Sequence, residues 1–377
     1  MSSVSFVKER KRRDQGPAPY VHAAVCKKIE QTITANLYSA ESVLFRLSTY
    51  ATRRRYQNVS VFFFAPLILA QIFWAVYLEP ISLLLACIPL LYTVPIFLVL
   101  DRVEPEPRSA KIYAFLYGAF VATSVAIIVN EIVGGLLGDS AAAVLSAPFV
   151  EEGMKLLGIL WAFRKKLIDG PLDGVVYAAI IALGFASVEN VVYFSVAASD
   201  NTLSATFILR GVLSPFAHPL FTMWTGVFLG KALVLGRRVS NFVAMGLALS
   251  ICLHLAWNLT VVLGGISGVF PLFFIPLFIA LFAFSINYIY KLRKDEEVEM
   301  IKIVPKVVDE FGISHEKANT YGYFRHALEV RKYLNRKQKR IFDQQRVAFS
   351  RLASMRAVPG KMLQNEVDEL VATINSL

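Results

Sequence analysis

Six ionisable side chains lie in runs of sequence that are otherwise apolar enough to be buried in lipid: Glu151, Glu152, Lys155, Glu189, His218 and His254. Asn190, Thr222 and Asn258 accompany them. A charged residue at the centre of a membrane-spanning helix costs about 2.5–3.5 kcal/mol on insertion scales, and such groups usually face the bundle interior. Placing several of them on four consecutive runs is a poor way merely to hold helices together. Carboxylates and imidazoles at one place are the equipment of acid–base chemistry, metal ligation or proton relay.

The spacing within each run is helical. Glu151 and Glu152 stand four and three residues before Lys155, so either carboxylate can pair with its ammonium. His218 with Thr222, and His254 with Asn258, are also four apart, so each pair shares a face. The depths agree as well. Glu151 lies 13 residues before Arg164 and His218 lies 13 before Lys231, while Glu189 lies 16 after Asp173 and His254 lies 16 after Arg238. At about 1.5 Å per helical residue, all four fall roughly 20–24 Å from flanking charges on the same side. That predicts one polar layer built by four helices.

The rest of the chain must position that layer. Of 377 residues, 56% are hydrophobic and 18% charged, and the mean hydropathy is +0.53. A soluble chain averages about 25% charged residues, so lipid is the expected solvent. Eight runs are long enough to span a bilayer: 59–78, 81–100, 111–130, 141–163, 174–198, 207–230, 241–263 and 268–290. Alternate loops carry the Lys and Arg residues, among them Arg102 and Arg108, then Arg164 to Lys166, then Lys231, Arg237 and Arg238. The intervening loops have none. By the positive-inside bias both termini are expected in the cytoplasm. The fold class expected is an all-α membrane protein, a bundle of eight transmembrane helices with short helical cytoplasmic extensions.

The chain divides into a basic cytoplasmic N-terminal segment 1–58, an intramembrane core 59–290, and a charged helical tail 291–377. Residues 21–57 mix apolar and basic positions at helical spacing, suiting either a membrane surface or a solvated helix. The tail ends on a seam of Leu363, Val367, Leu370, Ile374 and Leu377, expected to pack within a helical hairpin. The net charge of +11 reads as membrane-surface electrostatics rather than nucleic-acid binding, for no basic stripe with interleaved aromatics forms a separate domain. Cys26, Cys87 and Cys252 are too scattered for a disulfide framework and are expected as small core residues. The first 20 residues are polar and basic, unlike a cleavable signal peptide. Arg210 is expected to snorkel, with contact to a substrate carboxyl group as the alternative. His22, His315 and His326 receive no role.

Four ordered motifs resemble those of PrsW-type intramembrane proteases: Glu-Glu-Gly-Met-Lys at 151–155, Phe-Ala-Ser-Val-Glu-Asn at 185–190, His-Pro-Leu-Phe-Thr at 218–222 and His-Leu-Ala-Trp-Asn at 254–258. The loop 101–108 and the stretch 173–177 resemble flanking patterns of that family, which belongs to a wider group with the CAAX prenyl-protein endopeptidases. Ala178 and Ala182 depart from it, standing where the family often has glycine. The resemblance covers roughly 60–290 and implies endoproteolysis of a membrane-anchored, single-pass protein, such as an anti-sigma-factor-like regulator, in the cell membrane.

By that resemblance Glu151 is the general base, Glu189 orients water, His254 and Asn258 donate to the oxyanion, and His218 holds water or protonates the leaving group. Lys155 is expected to pair with Glu152, leaving Glu151 to its work. Glu152, Lys155 and Asn190 would lock helices, and Thr222 and Trp257 would pack. No cofactor is expected to be required. Zn²⁺ on Glu151, Glu189, His218 and His254 is the alternative, but no HExxH occurs, and Thr or Asn follows each His at the fourth position. A CAAX-type endopeptidase, a proton-coupled transporter and a non-catalytic membrane scaffold are the other functions compatible with such a layer. The transporter would favour inverted repeats, and no matching pair of motifs occurs in the two halves.

The loop charges make a direct prediction. Reporter fusions after residues 40, 104, 168, 235 and 300 should read cytoplasm, and those near 79, 138, 200 and 266 should read outside. An outside signal at 168 would contradict the common depth of the four motifs.

Overall fold

The computed structural model describes residues 70, 80–102, 104–266, 269–357 and 364–375. The basic segment 1–58, with its amphipathic stretch, Cys26 and His22, and nearly all of the first expected span, 59–78, lie outside the described residues. Those described are helical throughout, without strands. They fall into two compact units, one built mainly from residues up to Glu299 and the other from Met300 onwards.

In the first unit we number the helices α1 (Pro80–Leu100), α2 (Arg108–Leu137), α3 (Ala147–Arg164), α4 (Pro171–Ser199), α5 (Leu203–Phe207), α6 (Ala217–Val234), α7 (Val239–Ile266) and α8 (Val269–Phe311). Six helices are long and apolar enough to cross a membrane: α1, α2, α4, the α5–α6 run Leu203–Val234, α7 and α8. The run expected at 141–163 is helical as α3 but is not among the six, because Glu151, Glu152, Lys155 and Arg164 sit within its 18 residues. The chain is a multi-pass membrane protein by these helices.

Helix α4 is the axis of the bundle. Every residue from Leu172 to Phe185 is buried, and a helix apolar on all sides is one surrounded by others. It packs on α1, α2, α3 and α6. Two glycines make a very close approach: a Cβ on Gly174 would fall 2.1 Å from the Gly226 carbonyl oxygen, and one on Gly226 would fall 2.0 Å from that of Gly174. Backbone thus meets backbone between α4 and α6. Gly184 does the same against Phe115 of α2. Pro171 opens α4, and the Asp173 carboxylate accepts from the backbone N–H groups of Asp169 and Gly170 at 3.4 and 3.3 Å. An acidic residue in the first turn also suits the helix dipole.

The two flanking patterns meet at this end. Tyr177 donates to Glu106 Oε2 at 2.9 Å, and the Glu106 N–H donates to Asp101 Oδ1 at 3.1 Å. Lys111 binds the same aspartate. Cys87 and Cys252 are exposed rather than buried, contrary to their expected place in the core.

Three wide helical turns with i→i+5 hydrogen bonding interrupt the regular helices at Tyr117–Ala122, Ala142–Ser146 and Ile208–Leu213. Each inserts extra backbone and rotates the helical residues beyond it, and such turns are frequent at functional sites.

The second unit comprises the end of α8 with α9 (His315–Gly322), α10 (Phe324–Lys332), α11 (Arg336–Ala357) and α12 (Gln364–Asn375). It has its own core, including Val304, Val307, Val330, Phe342, Phe349 and Leu352. Val367 and Ile374 are buried in it and Leu370 packs against it, so the seam read from the sequence serves internal packing. Its ends, Leu363 and Leu377, lie outside the described residues. Ser314 caps α9, accepting from the Lys317 N–H at 3.3 Å.

Candidate functional site

The four motifs converge on one buried ammonium. Lys155 is fully buried, and its Nζ donates to Glu152 Oε1 at 2.9 Å and to His218 Nδ1 at 3.1 Å. It lies 3.6 Å from Glu151 Oε2 and 4.1 Å from the centre of the Phe185 ring. Of the two carboxylates, Glu152 is therefore the nearer partner, as the sequence suggested. Glu152 is also the better bonded. Its Oε1 accepts from His254 Nδ1 at 3.2 Å, and its Oε2 accepts from the Thr222 hydroxyl at 2.8 Å. Thr222 thus does more than pack. One carboxylate on α3 ties together α3, α6 and α7, with donors for both of its oxygens.

These partners fix the imidazoles. A carboxylate only accepts, so His254 must carry a proton on Nδ1. An ammonium only donates, so His218 must accept at Nδ1 and carry its proton on Nε2. That Nε2 donates to Glu189 Oε2 at 2.9 Å. Both nitrogens of His218 are engaged, while His254 keeps one free.

Glu151 differs from its neighbour. Its Oε1 accepts from Asn130 Nδ2 at 3.4 Å, and Asn130 Oδ1 accepts from the Ser146 hydroxyl at 2.8 Å. Its Oε2 is buried without a hydrogen-bond partner and lies 3.8 Å from His254 Nε2. The Lys155 ammonium approaches the same oxygen at 3.6 Å. The 3.8 Å between Glu151 Oε2 and His254 Nε2 suits a bridging water.

Glu189 and Asn190 lie on α4 beside the wide turn Ile208–Leu213, whose Arg210 binds Glu189 and donates to Asn190 Oδ1 at 2.8 Å. Asn258 donates to the Ala143 carbonyl at 2.8 Å, in the wide turn Ala142–Ser146. Trp257 packs edge-on against Phe278, with ring centres 5.0 Å apart. Phe221 stacks on His254 at 5.4 Å. Asn130 and Ser146 were not among the residues expected at the site, and Arg210 turns inward instead of snorkelling. Asn130 left a signal, being a polar residue inside an apolar run, but nothing local tied it to Glu151.

Three of the four alternative zinc ligands come together: one donor atom each of Glu151, His218 and His254 lies within 4.8 Å of the others. Glu189 is not among them, its carboxylate being taken by His218 and Arg210. Structural and catalytic zinc binds nitrogen and oxygen at about 2.0–2.2 Å. In the arrangement described, only Glu151 Oε2 and His254 Nε2 are uncommitted, and His218 would have to release Lys155 or Glu189 to join them. A dication would also stand close to the Lys155 ammonium. The donor set is of the right type, and its three donor atoms lie close enough together to be candidate ligands.

Breaking the central ion pair has a foreseeable cost. Lys155→Met leaves Glu152 charged and buried, which destabilises by about 3–5 kcal/mol. The thermal unfolding midpoint of the detergent-purified variant should fall by many degrees. An unchanged midpoint would show that the pair does not hold the bundle.

Residues 106–284 match the family described as PrsW family intramembrane metalloprotease. The chain is 32% identical over 139 residues to "Protease PrsW" of Geobacillus kaustophilus, covering 36% of this chain and 60% of that protein. It is 31% identical over 179 residues to "Protease PrsW" of Clostridioides difficile, covering 45% and 75%. With the Bacillus subtilis protein of the same name it shares 24% identity over 213 residues, 55% of this chain and 92% of that one. No solved structure matches the chain. The matched region holds all four motifs and the side chains that join them, and the chain belongs to the PrsW family of intramembrane proteases.

Proposed function

We propose that this chain is an intramembrane endopeptidase that hydrolyses a peptide bond of a membrane-anchored protein with a glutamate-activated water. The observation that carries the reading is the pair of buried atoms Glu151 Oε2 and His254 Nε2, 3.8 Å apart. A water held between them has its oxygen lone pairs turned outwards, towards a substrate carbonyl. Glu151 takes a proton as the water oxygen bonds to the carbonyl carbon. The same carboxyl group then returns that proton to the amide nitrogen as the C–N bond breaks, giving an acid and an amine. His254 orients the water, its tautomer set by Glu152. The Lys155 ammonium, 3.6 Å from Glu151 Oε2, lends positive charge where the oxyanion develops. Asn258 uses one N–H on Ala143 and keeps a second for the same oxyanion.

Glu152, Lys155, Thr222 and Asn190 act in this scheme by holding the reacting groups, and Glu189 by holding His218. No metal is required. Zn²⁺ on Glu151, His218 and His254 is the competing reading, favoured by the family's description as a metalloprotease. Were zinc bound, it would supply Lewis-acid polarisation of the water.

The substrate can be argued from depth. The polar layer stands roughly 20–24 Å from the cytoplasmic charges in a hydrocarbon core about 30 Å thick, beyond the midplane on the outer side. A helical substrate keeps its carbonyls bonded within the helix, and lipid offers no substitute partner. Unwinding is easiest near a helix end. The reading is therefore a single-pass protein of the cell membrane, an anti-sigma-factor-like regulator among them, cut in its outer juxtamembrane stretch or first outer turns.

Quantitative mass spectrometry of membrane fragments tests both parts. Fragments present with the natural chain should vanish with Glu151→Gln, a change that keeps the shape and removes a base worth about 10²–10⁴ in rate. Their new termini should map to the outer half of a single-pass helix. Undiminished cleavage by Glu151→Gln would sink the base assignment. A cut near a lipidated cytoplasmic C-terminus would favour the CAAX-type endopeptidase instead.

A further inference from the structure

Arg210 does not behave as a snorkelling residue. Such a side chain runs along apolar surface and delivers its charge to interfacial water. The guanidinium of Arg210 turns inward instead, and its side chain is only 20% exposed. It meets three residues on one face of α4: the carboxylate of Glu189, the amide oxygen of Asn190 at 2.8 Å, and the ring of Tyr193, whose centre lies 3.8 Å from the guanidinium carbon. The backbone that carries it is unusual. Ile208–Leu213 is a wide turn, closed by a bond from the Ser214 N–H to the Leu209 carbonyl at 2.9 Å. Tyr92 anchors that turn through the carbonyl of Gly211.

We infer that Arg210 is a positioning residue: by binding Glu189 it holds that carboxylate as the acceptor for His218 Nε2, and so determines which nitrogen of His218 faces Lys155. The connection is continuous. Arg210 and His218 both donate to Glu189 Oε2, Lys155 donates to His218 Nδ1 at 3.1 Å, and Lys155 also donates to Glu152, which fixes His254. A carboxylate this far inside needs a cation to stay charged, and His218 with its proton on Nε2 is neutral. Lys155 is committed to Glu152. Arg210 is the cation in contact with Glu189 among the described residues. Arginine suits the task because its fork can address Glu189 and Asn190 together.

The inference rests on the protease reading for its kinetic test but has a second readout that does not. In protein labelled with ¹⁵N-histidine, with the signal assigned by its loss in His218→Gln, the natural chain should show His218 protonated at Nε2 and bare at Nδ1. Arg210→Met should change that pattern, and Arg210→Lys should keep it in part. An unchanged His218 pattern in Arg210→Met would overturn the inference, whatever the activity. In a cleavage assay, Arg210→Met should lower kcat about 10–100-fold, the usual range for supporting residues of this kind, with KM little altered. Glu189→Gln removes the charge that Arg210 answers, so Arg210→Met added to it should cost little more. Losses that multiply in the double variant, or a rise in KM with kcat intact, would show instead that Arg210 acts on the substrate directly. Should Arg210→Met alone fail to fold, Glu189→Gln and the double variant still make this comparison, because neither leaves a buried carboxylate unpaired. A natural chain that cleaves nothing would refute the protease reading and leave the ¹⁵N result to decide the role of Arg210.

Discussion

In hydrocarbon a charge needs a partner, and the bundle is organised around the one that Lys155 finds in Glu152, 2.9 Å away on the same helix. Removing two charges from water is repaid only when the remaining donors and acceptors are also met. Glu152 meets this condition by accepting from Lys155, His254 and Thr222, and Lys155 meets it by reaching His218 and the face of Phe185. The pair therefore draws α6, α7 and α4 around α3. Its demands also assign the protons, leaving His218 with no free nitrogen and His254 with one. The neighbouring carboxylate, Glu151, is spared these bonds and keeps a free oxygen facing that nitrogen. Two adjacent glutamates acquire opposite roles from their partners alone.

Close backbone contact makes this convergence possible. Glycines at 174, 184 and 226 bring α4 against α2 and α6 without intervening side chains, so the short reach of Thr222 and the imidazoles suffices. The wide turns do complementary work. Ala142–Ser146 offers Ser146 to Asn130 and a carbonyl to Asn258, and Ile208–Leu213 swings Arg210 onto α4.

The sequence was most legible where geometry is one-dimensional. Counting residues from the loop charges placed Glu151, Glu189, His218 and His254 at one depth, and the structure joins them through contacts of 2.9–3.8 Å. Spacing along one helix allowed Lys155 either carboxylate, and the base role expected of Glu151 pointed it to Glu152, where the structure places it. What stayed hidden depends on rotation about the helix axes. The bond between His254 and Glu152, 102 residues away in sequence, could not be read from spacing. Arg210 stands near enough to a helix end to suggest contact with water, and only the wide turn, a product of tertiary packing, points it inward. Thr222 looked like a packing residue because a hydroxyl on a helix usually bonds its own backbone. The span expected at 141–163 carries the very charges that lower its hydropathy, so composition underrates the helix that matters most.

In the proposed chemistry a glutamate and an imidazole, ordered by a buried ammonium, activate water without a metal. Elemental analysis of the active, detergent-purified protein, followed by an activity assay after prolonged chelation, tests it most directly. Far less than one equivalent of zinc or any other transition metal per chain is expected, with cleavage undiminished by the chelator. Stoichiometric metal that disappears together with activity on chelation, and that is absent from His218→Ala and His254→Ala, would contradict it.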